Sequence, residues 1–350
     1  MTRGIDPGAG DPAVLAQRLA AQLLIGPPAK PAQDVVGRLL AVQAQDPKGA
    51  RLAVRARTSG LHASDVDREL TDQRSLILTT LNRGTLHLVR TEDYWWLQQL
   101  TTPQLATMNI TRLRQEGVMA AKTERAMKVI EETIAQHGPS TRAQLRTHLL
   151  EAGVPIQGQA LPHLFLASSL LGLTVRGPMV GGEQAFVLVR EWLGTAPKAM
   201  DRNIALAELG RRFLAGHGPA DHRDLARWAG ITLSDARIAI AGVGPALRQR
   251  PDGLVDLGGD VPTVGPKPKL LGPFDPALFG WLDRSPILGD HTHLVTSNGL
   301  FRPFAMVRGR AVGTWQMPKG TVQLHLFSSL APADEAALTK EAADVERFLR

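Results

Sequence analysis

Hydrophobic residues recur at helical spacing along most of the chain, and short runs with strand-like alternation follow the helical stretches. One amphipathic stretch ends at the His-Gly-Pro sequence of residues 137–139, and a second helical stretch begins at Ser140. The same arrangement recurs 80 positions later, at the His-Gly-Pro sequence of residues 217–219. Because Gly commonly ends a helix and Pro commonly opens one, each copy predicts a helix–turn–helix corner.

Both helical copies are followed by two strand-like runs around a turn. The turns are Gly-Gly at residues 181–182 and Asp-Gly at residues 252–253. Such a turn between alternating apolar runs predicts a β-hairpin. Three helices followed by a hairpin are typical of a winged helix, so the pattern predicts two of these modules. A third is predicted at the start of the chain, with helices at 14–24, 32–42, 48–57 and 63–70 and a strand at 85–89.

The pattern changes after Gly258, where prolines become frequent and only short strand-like runs follow. The runs cover residues 293–296, 304–307, 311–315 and 322–327, and a final amphipathic helix covers 332–349. They predict a small antiparallel β-barrel or sheet. The predicted fold is therefore mainly α with β, in four parts: winged helices at 12–100, 101–195 and 196–258, then a β domain with its terminal helix at 259–350.

Composition favours a nucleic-acid partner. The 350 residues have a net charge of +7 and contain 31 Arg, 9 Lys and no Cys. Without cysteine, disulfides and thiolate metal sites are excluded. A basic chain favours a polyanionic partner, and Arg suits bidentate phosphate contacts.

No targeting or membrane segment is predicted. Residues 1–11 lack the charged and then apolar layout of a signal peptide. The long uncharged stretch at 152–175 is interrupted by Pro, Gln and His residues, so its apolar part is too short to span a bilayer. We therefore expect a soluble, cytoplasmic protein that does not act at a membrane.

The most unusual local sequence is Gln43-Ala44-Gln45-Asp46-Pro47, where a helical stretch ends and the next begins. An extended link would place both glutamine side chains on roughly one side. The next helix carries Lys48, Arg51 and Arg55 on one face, and residues 38–57 have a net charge of +4. Two amides beside a phosphate-binding helix are one interpretation. A polar helix corner with a solvated basic face is the other, and the residues alone leave both open.

Several separated blocks resemble one protein family. They are residues 38–46 (Arg-Leu-Leu-Ala-Val-Gln-Ala-Gln-Asp), 83–89 (Arg-Gly-Thr-Leu-His-Leu-Val), 270–275 (Leu-Leu-Gly-Pro-Phe-Asp), 283–285 (Asp-Arg-Ser), 298–303 (Asn-Gly-Leu-Phe-Arg-Pro) and 312–315 (Val-Gly-Thr-Trp). In this order, over residues 12–349, they resemble the AlkZ/YcaQ family of bacterial DNA glycosylases. The resemblance implies tandem winged helices, a C-terminal β domain, and the Gln-x-Gln branch associated with self-resistance to DNA-alkylating natural products.

The resemblance also implies chemistry for the motif. Its substrate would be double-stranded DNA carrying bulky N7-alkylguanine, including interstrand crosslinks. Gln43 would orient the attacking water and Gln45 would hold the lesion or sugar, while Asp46 would cap the following helix or add electrostatic support. Lys48 is the only lysine near the motif, and we interpret it as a phosphate contact. Since a lyase requires an amine nucleophile, a monofunctional enzyme that leaves an abasic site is expected.

Further DNA contacts are predicted outside the motif. One departure from the family pattern is Pro276, which stands where relatives commonly have Glu after Phe-Asp. The pair His291 and His293 beside Asp290 superficially resembles a metal site, but no third ligand has suitable spacing, so we expect neither a metal nor a cofactor. The complete set of predicted DNA contacts is Arg38, Lys48, Arg51, Arg55, Arg83, His87, Arg284, His291, His293 and Arg302.

A non-enzymatic alternative uses the same charge and repeats. A winged-helix regulator, or a protein that sequesters damaged DNA, would need Gln43 and Gln45 only as polar contacts. A regulator normally dimerises on a palindromic site, and no dimerisation helix is evident, so a monomer is expected. A nucleotide-hydrolysing enzyme lacks support because the chain has no Gly-x-x-x-x-Gly-Lys loop.

Overall fold

The computed structural model describes residues 11–350. The prediction that no signal peptide begins the chain concerns residues 1–10, which lie outside the described residues. The helices are α1 Pro12–Ala21, α2 Ala32–Leu39, α3 Pro47–Arg55, α4 Ala63–Thr71, α5 Tyr94–Thr101, α6 Pro103–Gln115, α7 Ala120–His137, α8 Arg142–Glu151, α9 Ala160–Leu170, α10 Val189–Trp192, α11 Arg202–His217, α12 His222–Ala229, α13 Leu233–Gly242, α14 Ser285–Leu288 and α15 Pro332–Leu349. None of these helices is both long enough and apolar enough to cross a bilayer.

The strands are short and lie in small sheets. They are β1 Val42–Gln43, β2 Leu76–Leu81, β3 Thr85–Arg90, β4 Thr174–Val180, β5 Glu183–Leu188, β6 Arg248–Gln249, β7 Val255–Asp256, β8 Lys269–Leu271, β9 Phe304–Val307, β10 Arg310–Gln316 and β11 Gln323–Leu326. Within these sheets, β2–β11 pair antiparallel. The chain folds as two compact units: one contains the described residues up to Asp67 together with Leu206–Arg350, and the other contains Arg68–Ala205.

The unit of residues 68–205 contains the first predicted helix–helix–helix–hairpin copy. Helix α7 ends at Gly138 with φ +72°, α8 begins with the Thr141–Gln144 capping box, and β4 and β5 form the hairpin after α9. Within this unit the strand order is β3-β2-β4-β5. Apolar residues of α7, α8, α9 and β5 share one buried core, which includes Ile130, Leu145 and Phe186. Burial of this apolar stripe is the main force that holds the short helices in place.

The second copy follows the same plan. Helices α11, α12 and α13 precede the two-stranded sheet of β6 and β7. Ala220, directly after the second His-Gly-Pro, forms a β-bridge with Val255, just as Ser140 after the first His-Gly-Pro pairs with Phe186. Equivalent positions of the repeat therefore make equivalent contacts. At the start of the chain, α1–α4 are followed by β2 and β3, and the third winged helix and the four-part division remain predictions.

The C-terminal strands form an open sheet. Its order is β11-β10-β9-β8, and among residues 11–350 no pairing between β11 and β8 closes it. The predicted barrel is therefore wrong and the alternative, a sheet, is correct. The predicted strand at 293–296 is also wrong, because a 3₁₀ turn occupies Thr292–Leu294. Helix α15 has the predicted bounds, whereas β2 and β8 were not predicted.

Candidate active site

The Gln-x-Gln segment lies where α2 changes direction into α3. Helix α2 stops at Leu40, which has φ +64°, and the chain then extends through Val42 and Gln43. The side chain of Gln43 is buried and that of Gln45 is exposed. Burial restricts the movement of the Gln43 amide, whereas the exposed Gln45 can reach a bound molecule. The two amides therefore differ in their access to solvent.

Asp46 caps the following helix, as the sequence predicts. Its Oδ1 accepts a hydrogen bond from the backbone N of Gly49 at 2.7 Å, and Pro47 occupies the first position of α3. This is the usual way to satisfy an unpaired N–H of a first helical turn. The carboxylate is consequently engaged in capping. The chemistry offered by the motif itself is that of two neutral amides.

Two of the three cations on α3 point into the protein. Arg51 is buried, ion-paired with Asp67 and hydrogen-bonded to the carbonyl of Pro47 at 2.8 Å. Arg55 is 2% exposed and bonds to Glu341 and Asp344, each at 2.9 Å. Both are engaged with carboxylates inside their own unit, so Arg51 and Arg55 leave the set of candidate DNA contacts. Their partners lie 16 and more than 280 positions away in the chain, which local sequence could not indicate.

Lys48 and Arg38 remain at the surface. Lys48 is exposed in the first turn of α3. Arg38 is exposed in the last turn of α2, and its Nε donates to the carbonyl of Ala21 at 2.9 Å. That single bond orients the side chain and leaves the other guanidinium nitrogens available to phosphate. These two cations therefore remain candidates on the two helices that flank the motif.

His87 is not placed for a DNA contact. It is 2% exposed on β3, and its Nδ1 lies 2.8 Å from the carbonyl oxygen of Thr85. Burial, with the nearby charge of Arg83, lowers the pKa of His87 to about 3, so the ring is neutral at physiological pH. Arg83 is half-buried at the β2–β3 turn with φ +58°. His87 therefore leaves the candidate set because a buried neutral ring cannot contact phosphate, and Arg83 stays in it.

The remaining predicted contacts lie in the segment before β9. Arg284 is half-buried, donates through Nε to the carbonyl of Leu278 at 2.6 Å, and places its guanidinium 5.3 Å from the ring centre of Phe301. Half-buried His291 stacks on Phe327 at 4.0 Å, whereas His293 and Arg302 are exposed. Within residues 11–350, no group of three or more His, Asp and Glu side chains is arranged to hold a metal ion.

Sequence analysis identified residues 270–275 as a family block but did not place them against α3. A Cβ atom placed on Gly49 would come within 2.4 Å of the carbonyl oxygen of Pro273, so only glycine permits this approach. Asp275, two residues after Pro273, is fully buried and accepts hydrogen bonds from Arg57 at 2.8 and 3.0 Å. The available signal in the sequence was the glycine at position 49, four residues after Gln45. The segment around Pro273 is thereby anchored beside the helix that follows the glutamines.

Comparison with known proteins gives one consistent result. The family described as DNA glycosylase AlkZ-like matches residues 36–348. A protein of Streptomyces sahachiroi named "Interstrand DNA cross-link repair glycosylase" is 26% identical, and the alignment covers 95% of each chain. The solved structure of Streptomyces sahachiroi DNA glycosylase AlkZ superimposes with a TM-score of 0.77 at 24% identity and 96% coverage of each chain.

Proposed function

The chain belongs to the family of AlkZ-like DNA glycosylases, and on that premise we propose that it hydrolyses the N-glycosidic bond of bulky N7-alkylguanine in double-stranded DNA. The observation that carries the proposal is the arrangement of the motif: Gln43 is buried, Gln45 is exposed beside it, and Asp46 is engaged as a helix cap. The site therefore suits a substrate whose leaving group needs no protonation.

N7-alkylguanine is such a leaving group. Alkylation gives the purine a positive charge and weakens the bond between N9 and the sugar C1′. When this bond breaks, its electron pair neutralises the base, and the oxygen of a water molecule bonds to C1′ and releases a proton to solvent. Gln43 orients this water, and Gln45 holds the sugar or the modified base. Fixed amide dipoles can also stabilise the positive charge that develops on the sugar.

The product is an abasic site with an intact backbone. A lyase step would require an amine that attacks C1′. Lys48, the lysine nearest to the motif in sequence, lies in the exposed first turn of α3. There we assign it to a phosphate contact. The enzyme is therefore monofunctional.

The surface cations bind the phosphate backbone of DNA. The net charge of +7 favours binding to phosphate without sequence preference. The proposed contacts are the exposed Arg38, Lys48, His293 and Arg302, with the half-buried Arg83, Arg284 and His291. We propose that the protein acts as a monomer. The Streptomyces relative is named a cross-link repair glycosylase, which supports extending the proposed substrates to interstrand crosslinks. We further propose that the role of the enzyme is self-resistance to an alkylating natural product.

Single-turnover release of base from an N7-alkylguanine duplex tests the proposal. The parent should exceed spontaneous depurination, and Gln43→Ala should lower the rate by about 100- to 1,000-fold, the usual cost of removing one preorganised polar group that acts in the transition state. Gln33→Ala is the matched control, because it removes an exposed amide from α2 of the same unit.

A glycosylase and a non-enzymatic protein that binds damaged DNA should give different results in this assay. If neither the parent nor Gln43→Ala releases base from small or bulky adducts while both bind tightly, the protein is a damaged-DNA binder. Release at the parental rate by Gln43→Ala would remove this residue from the mechanism. Alkali-independent strand breaks would contradict the monofunctional assignment.

A further inference from the structure

Three phenylalanines form an aromatic cluster in the unit that carries the glutamine motif. The ring centres of Phe279 and Phe301 are 4.1 Å apart, and the ring of Phe274 lies 5.8 Å from Phe301 and 6.2 Å from Phe279. Phe301 is buried, whereas Phe274 and Phe279 are half-buried. The cluster therefore presents aromatic surface to solvent instead of enclosing it in a core.

The backbone of Phe274 is held in an unfavourable conformation. Its φ is +58°, in the left-handed region that a bulky side chain rarely occupies. Such a conformation persists only when the surrounding contacts impose it, and these positions are concentrated at functional sites. Here both residues that flank Phe274 in the chain make such contacts: Pro273 lies against Gly49, and Asp275 is paired with Arg57. The backbone that carries the Phe274 ring is consequently fixed in place.

These anchors also place Phe274 beside the motif. Gly49, which the carbonyl of Pro273 approaches, is the residue whose backbone N–H is capped by Asp46. Asp46 directly follows the exposed Gln45. Phe274, whose ring is half-buried, therefore directly follows Pro273, the residue whose backbone contacts Gly49 in the first turn of α3.

The cluster already holds one cation. The guanidinium of Arg284 lies 5.3 Å from the ring centre of Phe301, within the range over which the negative face of an aromatic ring attracts positive charge. The cluster therefore combines aromatic faces with an adjacent positive charge, which is the composition of a platform for stacking planar bases.

From these observations we propose that Phe274 stacks on the planar, positively charged ring system of the alkylated base. The inference rests on the proposed function, because N7-alkylation is what makes the purine cationic. A cationic ring gains from contact with an aromatic face both by stacking and by cation–π attraction, whereas an unmodified guanine gains only by stacking. Phe274 would therefore favour damaged over undamaged bases before any bond breaks.

A pair of substitutions separates the aromatic face from apolar bulk. Phe274→Leu retains an apolar side chain without a π system, and Phe274→Tyr retains the ring. We would measure equilibrium binding to a duplex with N7-methylguanine on a 2′-fluorinated sugar, which resists cleavage, and to the undamaged duplex. Phe274→Leu should bind the damaged duplex about tenfold more weakly, within the range for loss of one stacked base, and should weaken binding to undamaged DNA by a smaller factor, because only stacking is lost there. Phe274→Tyr should bind both like the parent.

A second duplex identifies which ring stacks. It carries a planar aromatic group attached at N7 of guanine. An equal loss for both damaged duplexes places the purine itself on Phe274, whereas a larger loss for the second places the attached group there, and both support the proposal. If Phe274→Leu, folded as judged by circular dichroism, binds both damaged duplexes like the parent, the proposal is overturned. Base release by the parent, measured separately on cleavable duplexes, decides the proposed function independently.

Discussion

Replacing Asp275 by Asn should destabilise the protein strongly, because it leaves the Arg57 charge buried without its counterion. Both side chains are fully buried. Oδ1 of Asp275 accepts from Arg57 Nη2 at 2.8 Å and from the backbone N of Ala277 at 2.9 Å, and Oδ2 accepts from Arg57 Nη1 at 3.0 Å. The amide nitrogen of Asn would replace one of these acceptors by a donor that faces another donor.

Breaking a buried pair from one side costs about 3–5 kcal/mol. For a unit of this size, each kcal/mol lowers Tm by about 2–4 °C, so the expected decrease is about 6–20 °C by calorimetry. Asp344→Asn is the matched control: this carboxylate is 40% exposed, and its partner Arg55 keeps Glu341 at 2.9 Å, so the cost should be below about 1 kcal/mol.

Comparing the melting temperatures of Asp275→Asn and Asp344→Asn tests whether the buried Arg57–Asp275 pair stabilises this segment. If Asp275→Asn melts within about 2 °C of the parent, the Arg57–Asp275 pair does not hold this segment, and the reasoning is refuted. A further variant, Arg57→Met with Asp275→Leu, removes both charges together. It should recover much of the lost stability, because replacing a buried ion pair by apolar residues is often neutral or stabilising.

Three other perturbations test the site and its surroundings. Asp46→Ser should retain base release because serine also caps a helix, whereas Asp46→Ala should cost about 0.5–2 kcal/mol of stability; equal loss of activity in both variants would mean that the carboxylate takes part in the chemistry. Gly49→Ala should cost about 1–3 kcal/mol in denaturant unfolding through overpacking, since its Cβ would lie 2.4 Å from the carbonyl oxygen of Pro273; an unchanged midpoint would mean that the segment shifts freely. Burial lowers the pKa of His87 and of His217 to about 3 from 6.5. Both rings are therefore neutral in the folded state and take up protons on unfolding, so stability should fall as pH drops from 6.5 towards 3, by at most about 1.4 kcal/mol per pH unit for each histidine. Urea titrations above and below pH 6.5 would contradict this if the midpoint stayed constant.

Local sequence was sufficient for most secondary-structure elements. The two His-Gly-Pro corners, the Gly181-Gly182 hairpin and helix α15 were predictable because helix ends and tight turns depend on a few neighbouring residues. Asp46 as a cap belongs to the same class, since its partner is only three residues away. Whether the C-terminal sheet closes into a barrel was not predictable, because closure depends on whether β8 and β11 pair, and these strands are more than 50 positions apart.

The charge of the motif region shows where sequence reasoning stops. Residues 38–57 carry five cations and one carboxylate, which predicts a basic face. Three of these cations, Arg51, Arg55 and Arg57, are buried against carboxylates from other parts of the chain. Their partners become neighbours only when α4, α15 and the segment around Asp275 pack against these residues. A count of charges therefore overestimates what is available to DNA.

Residue types at short, fixed spacing were enough to identify the repeats, the helix caps, the glutamine motif and the family blocks. Contacts in the folded chain were needed to show which cations face solvent, that Gln43 is buried beside an exposed Gln45, and that a strained Phe274 lies next to the helix after the motif. The physical reason is that burial and pairing are properties of contacts between distant segments, and such contacts leave almost no local pattern.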